Sequence, residues 1–336
     1  MNKRVDYIDL IKGVTIWGVV WFHTYHPEWL TALLVNSIFF FLSGFFFKRS
    51  SFNSFLKKKV KTLLVPFAFF YLLSYVFQMM VYLWDFKTVS GYDWLVFKEI
   101  FTSSSRTDYL FVNVVLWFII CLFIIQFFYF FISYLDKRLI AIIALLCLGL
   151  QSTFLSISTP FMINAALFYM GFFALGNLIG RSWIEKLKDG HFRKTSLVIS
   201  AFLSTLLFIP INSFTGWWYD TAYQLKLFMV FFILMSIASC FNEKRYLYIF
   251  QFYGNNSLIV MGLHNLIIIF LHRLDHSMGI YEGSPLRGFI QSIFIMAILY
   301  VVILFCNKYI PFLVGKKHAE RALNRTEAAV KVAEQR

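Results

Sequence analysis

An acid, a cation and two imidazoles punctuate the first apolar stretch: Asp9, Lys12, His23 and, at its outer end, His26. Lys12 and His23 stand eleven positions apart. In an α-helix that spacing is about three turns plus 20°, so both side chains share one stripe with roughly 16 Å of axis between them. Asp9 lies one turn before Lys12 and can pair with it. An imidazole with an ordinary pKa of about 6.5 suits a general base near neutral pH, and a lysine attracts phosphate as a point charge. Ionisable groups inside a membrane helix are costly, and each invites a functional reading. A snorkelling lysine with a hydrogen-bonded packing histidine explains the same two residues equally well when they are taken alone.

Further polar residues recur in other apolar stretches. The second holds Asn36 and then Phe39-Phe40-Phe41-Leu42-Ser43-Gly44-Phe45. Ser43 and Gly44 allow close helix approach, and packing is the favoured account of them. A late stretch opens on Tyr253-Gly254-Asn255-Asn256-Ser257-Leu258 and reaches His264 near its middle. Asn256 or Ser257 is expected to cap that helix. His264 reads equally as a cavity residue or as packing. His272 and His276, flanking Asp275, read as a solvated outer turn. His23 and His26 apart, the histidines lack compact ligand spacings with carboxylates, so no metal is expected.

The elements that position these residues follow from composition. Sixty per cent of residues are hydrophobic and 14% are charged, too few charges to solvate a soluble domain of this length. Stretches of about 18 or more apolar residues, without period-two alternation, predict membrane-spanning helices. We read ten, at approximately 9–26, 33–47, 62–84, 109–134, 139–157, 161–180, 195–212, 224–241, 255–272 and 287–310. Lys3 with Arg4, Lys48 to Lys61, Lys137 with Arg138, Arg181 to Lys194, and Lys244 with Arg245 fall in alternate loops. This alternation places both termini in the cytoplasm. The net charge of +14 is thereby explained without nucleic acid. The first stretch shows no small-residue cleavage motif and should remain as a helix. Cys121, Cys147, Cys240 and Cys306 lie in apolar stretches without C-x-x-C spacing and read as small hydrophobes. The expected organisation is a membrane-embedded domain over 1–314 and a basic cytoplasmic tail over 315–336.

The opening Tyr7-Ile8-Asp9-Leu10-Ile11-Lys12-Gly13, continuing to His23, resembles the first helix of the acyltransferase type 3 family. Phe40 to Phe45, the basic run Lys57 to Lys61 ending at Pro66, Leu116-Trp117-Phe118, and Gly254 to Leu258 with His264 resemble the family too. The likeness covers residue 5 to about 310. One departure is Lys12, where the family usually has an arginine; lysine keeps the charge but lacks the planar bidentate fork. The resemblance implies a ten-helix membrane acyltransferase taking acetyl-CoA or another acyl-CoA from the cytoplasmic side. Its acceptor would be a hydroxyl of a bacterial surface or lipid-linked polysaccharide, at the inner membrane. His23 would be the general base, and Lys12, Arg49, Lys57, Lys58 and Lys61 would attract the donor's phosphates. Asp9, Asn36, Ser43 and His264 are substrate or orientation candidates. A transporter or flippase is the rival reading, but the inverted repeats common in transporters are not evident.

Overall fold

The computed structural model describes residues 6–25, 36–88, 90, 92, 94, 98–102, 112–157, 159–209, 216–241, 247–278 and 284–316. His26, most of the outer loop after 88, Lys244 with Arg245, and the tail from 317 lie outside the described residues. Among those described the chain is all-helical, without strands.

The main helices are α1 (Asp6–Tyr25), α2 (Ser37–Phe45), α3 (Phe52–Phe86), α4 (Val114–Ile132), α5 (Lys137–Gly149) and α6 (Ile163–Lys186). They continue with α7 (Gly190–Leu206), α8 (Gly216–Ser239), α9 (Tyr248–Asn255), α10 (Ser257–Ser277) and α11 (Pro285–Tyr309). Among the described residues six helical segments are long and apolar enough to cross a membrane: Phe52–Phe86, Val114–Ile132, Pro160–Gly180, Trp218–Ser239, Ser257–Ser277 and Pro285–Tyr309. α1 falls outside that set because Asp9, Lys12 and His23 lower its hydropathy. α2 has nine residues, about 13 Å of helix, so a crossing there takes flanking chain as well as the helix.

Local chemistry sets several boundaries. The Asp136 carboxylate receives the Arg138 amide at the start of α5, and Asp189 receives the amides of His191 and Phe192 at the start of α7. Ser284 caps α11, with Pro285 opening it. Within α3, residues Val60–Leu64 form a π-helical turn just before Pro66. Proline lacks the N–H that an α-helical ladder would use there, so the helix widens by one residue at that point. Leu72, Val198, Phe202, Val301 and Phe305 stand exposed, as side chains facing lipid do.

Two glycines decide one helix contact. A Cβ on Gly44 would overlap the Phe173 carbonyl, and one on Gly176 would overlap the Phe41 carbonyl. α2 and α6 therefore meet backbone to backbone, with Gly44 at the crossing. Asn177 locks the crossing: its Nδ2 donates to the carbonyls of Gly44 (3.0 Å) and Phe47 (3.2 Å), and its Oδ1 accepts from the Tyr129 hydroxyl (3.0 Å). Phe40 stacks on Tyr169 at 4.4 Å and lies 4.5 Å from Phe118, so the Leu116-Trp117-Phe118 segment serves the aromatic core.

Two sequence expectations need correction. The late stretch, read as opening on Tyr253, is divided: Tyr248–Asn255 is a separate helix, α9, and the next helix begins at Ser257. α10 extends to Ser277, so His272, Asp275 and His276 sit on its last turns rather than in a turn beyond it. Asp275 accepts from Arg287 at 2.6 Å and from Gln291 at 2.8 Å, which ties the end of α10 to α11.

Candidate active site

α1 is the helix that carries the candidate chemistry, and it packs against α8, α9, α10 and α11. Its contact with α9 is possible because Gly254 approaches the Asp9 carbonyl and Gly13 approaches the Phe250 carbonyl. Trp17 fixes the next turn: its ring lies 5.3 Å from Phe250, and its Nε1 donates to Ser292 Oγ at 3.1 Å. Thr24, beside His23, donates to the Gly288 carbonyl at 2.9 Å. The stripe bearing Lys12 and His23 is thus held at both ends.

His23 occupies the last turn of α1 and is half-buried. Its ring centroid stands 5.3 Å from that of His264, with the planes inclined at 47°. His264 is wholly buried in α10. Its Nδ1 lies 2.8 Å from the Val260 carbonyl, and its Nε2 has no hydrogen-bond partner among the described residues. The structure thus sets the two imidazoles side by side, with His264 itself out of reach of solvent.

A polar cluster not singled out from the sequence braces this part of α10. Asn113 is fully buried, and its Nδ2 donates to Ser74 Oγ at 2.9 Å and to the Gly262 carbonyl at 3.0 Å. Asn265 approaches the Asn113 Oδ1 at 3.5 Å. Polar side chains inside the predicted fourth and ninth spans were the available signal.

At the other end of the stripe, Lys12 Nζ lies 4.0 Å from Asp9 Oδ1 and 5.4 Å from the centre of the Phe46 ring. The expected acid–cation pair is present, with Phe46 beside it. Ser43 stands one turn before Phe46. Asn36 opens α2 at the opposite end, where its carbonyl receives the amides of Phe39 and Phe40.

The basic candidates divide by surroundings. Arg49 donates to the Ser133 carbonyl and lies over the Tyr134 ring at 5.3 Å, so its guanidinium closes the end of α4. Lys57, Lys58 and Lys61 are exposed on the first turns of α3. Asn256, expected as a cap, instead donates to the Phe252 carbonyl at 2.7 Å and accepts from Asn307 (2.9 Å) and from Lys316. It joins the ends of α9, α11 and the segment beyond α11.

A family model described as an acyltransferase domain matches residues 5–310, nearly the whole of this helical assembly. The chain belongs to the acyltransferase type 3 family. It is therefore a membrane acyltransferase in kind, with several apolar helices suited to multiple crossings. No curated protein and no solved structure matches it. For an acyltransferase, the paired imidazoles at the end of α1 are the natural place to look for proton transfer, since acyl transfer to a hydroxyl must remove that hydroxyl's proton.

Proposed function

We propose that this acyltransferase moves an acetyl group from acetyl-CoA to a hydroxyl of a surface or lipid-linked polysaccharide in a bacterial inner membrane. The observation that carries the reading is the His23 ring on α1, 5.3 Å from a second imidazole inside a chain of this family. His23 takes the acceptor's proton as its oxygen attacks the thioester carbonyl. The carbon–oxygen bond forms, the carbon–sulfur bond breaks, and His23 returns the proton to the departing thiolate.

In this reading ten crossings leave both termini in the cytoplasm, in keeping with the alternation of basic loops. Helical segments at each of the ten expected places support it, six of them long and apolar enough on their own. The donor's phosphates then lie at the Lys12 end of α1. The exposed Lys57, Lys58 and Lys61 add a positive field there. Arg49 contributes charge, while its hydrogen bond to Ser133 gives it a separate structural duty.

The direct test is transfer of labelled acetyl from acetyl-CoA into glycan, in membranes carrying the protein against membranes lacking it. Equal labelling in both would refute the reading. A second variant checks the donor end. Lys12→Ala is expected to raise the KM for acetyl-CoA about tenfold, since one charge-assisted contact is worth roughly 1.5–3 kcal/mol. Lys12→Arg, which retains the cation, should stay near wild type. An unchanged KM in the alanine variant would remove Lys12 from donor binding.

A further inference from the structure

His264 is a neutral-looking core residue by position, yet one of its ring nitrogens is left over. The Val260 carbonyl, 2.8 Å from Nδ1, can only accept a hydrogen bond. Nδ1 therefore carries the hydrogen, and in the neutral ring the lone pair resides at Nε2. That nitrogen is buried and unpartnered among the described residues. Leaving a buried acceptor unused costs about 1–3 kcal/mol, so its retention beside another imidazole calls for a use.

The geometry supplies one. The two rings share no hydrogen bond as they stand. Ring atoms sit about 1.2 Å from the ring centroid, so at 5.3 Å between centroids a turn of the His23 ring brings one of its nitrogens to about 3 Å from Nε2, a hydrogen-bond distance. We infer that His264 is a positioning residue for His23: its Nε2 receives an N–H of His23 and fixes which nitrogen of His23 faces the acceptor hydroxyl. This rests on the reading of His23 as the base. A histidine base has two nitrogens, and an acceptor at one of them selects the tautomer whose lone pair is on the other, where the proton is taken.

The surrounding structure holds His264 to this task. The Gly262 carbonyl, two residues earlier, is bonded to Asn113, which is itself bonded to Ser74. Phe70 lies against Gly262, where a Cβ would strike its ring. α10 is therefore pinned to the helices on either side at the level of the imidazole. A metal shared by the two rings is the competing use, but no group of three His, Cys, Asp or Glu able to hold one occurs among the described residues.

During transfer the acceptor's proton moves to the other ring nitrogen of His23, the one carrying the lone pair, as the new carbon–oxygen bond forms. The imidazolium keeps its other N–H on His264 Nε2. The transferred proton then passes to the CoA thiolate as the carbon–sulfur bond breaks. His264 is neither oxidised nor acylated, and its protonation is the same at the start and the end.

Asparagine and glutamine at position 264 separate this role from simple packing. In His264→Asn the amide can still donate to Val260 but is too short to place an acceptor where Nε2 stood. In His264→Gln the side-chain oxygen can reach that place. With glycan-bearing membranes and varied acetyl-CoA, His264→Asn is expected to lower apparent kcat about 100-fold with KM for acetyl-CoA nearly unchanged. His264→Gln should recover to within about tenfold of wild type. Both variants are polar and of similar or smaller volume, and gel filtration in detergent verifies their folding. Wild-type kcat in His264→Asn, equal losses in both, or a change in KM alone would each overturn the role. If those results appear while His23→Ala still abolishes transfer, His23 stands as base and only the partnership fails. Absence of transfer by the wild type would remove both.

Discussion

His23→Ala is expected to abolish acetyl transfer at equal expression, a fall of about 10³-fold or more, with little change in the KM for acetyl-CoA. A positioned general base contributes roughly 10²–10⁴-fold, and without it the acceptor hydroxyl must lose its proton to water. The substitution should not unfold the protein. His23 is half-buried on the last turn of α1, whose attachment depends on Gly13, Trp17 and Thr24 rather than on the imidazole. The measurement is incorporation of labelled acetyl into glycan, with folded protein quantified in the same membranes. Added imidazole should restore part of the rate, because a small base can enter the space left by the ring. Undiminished labelling in the variant would remove His23 from the chemistry. A loss of folded protein in proportion to activity would assign the residue to structure instead.

How much of this was legible in the sequence depends on whether the controlling contact is local. The stripe of Asp9, Lys12 and His23 follows from helical period alone, and the Asp9–Lys12 pair is present as expected. The helices also follow, since apolar length demands internally bonded backbone. His264 could be flagged as a buried ionisable residue, but its nearness to His23 is a contact across 241 positions and no periodicity reports it. Arg49 shows the opposite limit. Its charge in the basic loop suggested donor binding, and nothing local reports that it also reaches Ser133 and Tyr134 at the end of α4. α9 was missed because its eight residues are too few to register as an apolar crossing; its Gly254 faces a neighbouring backbone rather than a turn. Asn256 likewise resembles a cap locally and is claimed instead by Asn307 and Lys316 from the far end of the chain.

The same contact predicts the largest structural effect. Gly254→Leu is expected to lower the melting temperature in detergent by about 5–10 °C and to cut acetyl transfer, while Gly190→Leu leaves both close to wild type. A Cβ at position 254 would overlap the Asp9 carbonyl and press on the Gly13 amide. These are backbone atoms, so no rotamer change relieves the overlap and α9 must move away from α1. Overpacking of this kind costs typically 1–3 kcal/mol and more where the backbone must shift. The displacement would also open the seat of Trp17 on Phe250, a ring contact of 5.3 Å. Asp9 and Lys12 lie on the turn that Gly254 touches, so the donor end of the stripe should suffer along with stability. Gly190 is the matched control: it is the first residue of α7, next to the capping Asp189, and a Cβ there meets nothing within 4 Å. Equal melting temperatures for Gly254→Leu and wild type would refute the close α1–α9 contact. A lowered melting temperature with full activity would show that this contact supports the bundle without setting the position of Lys12.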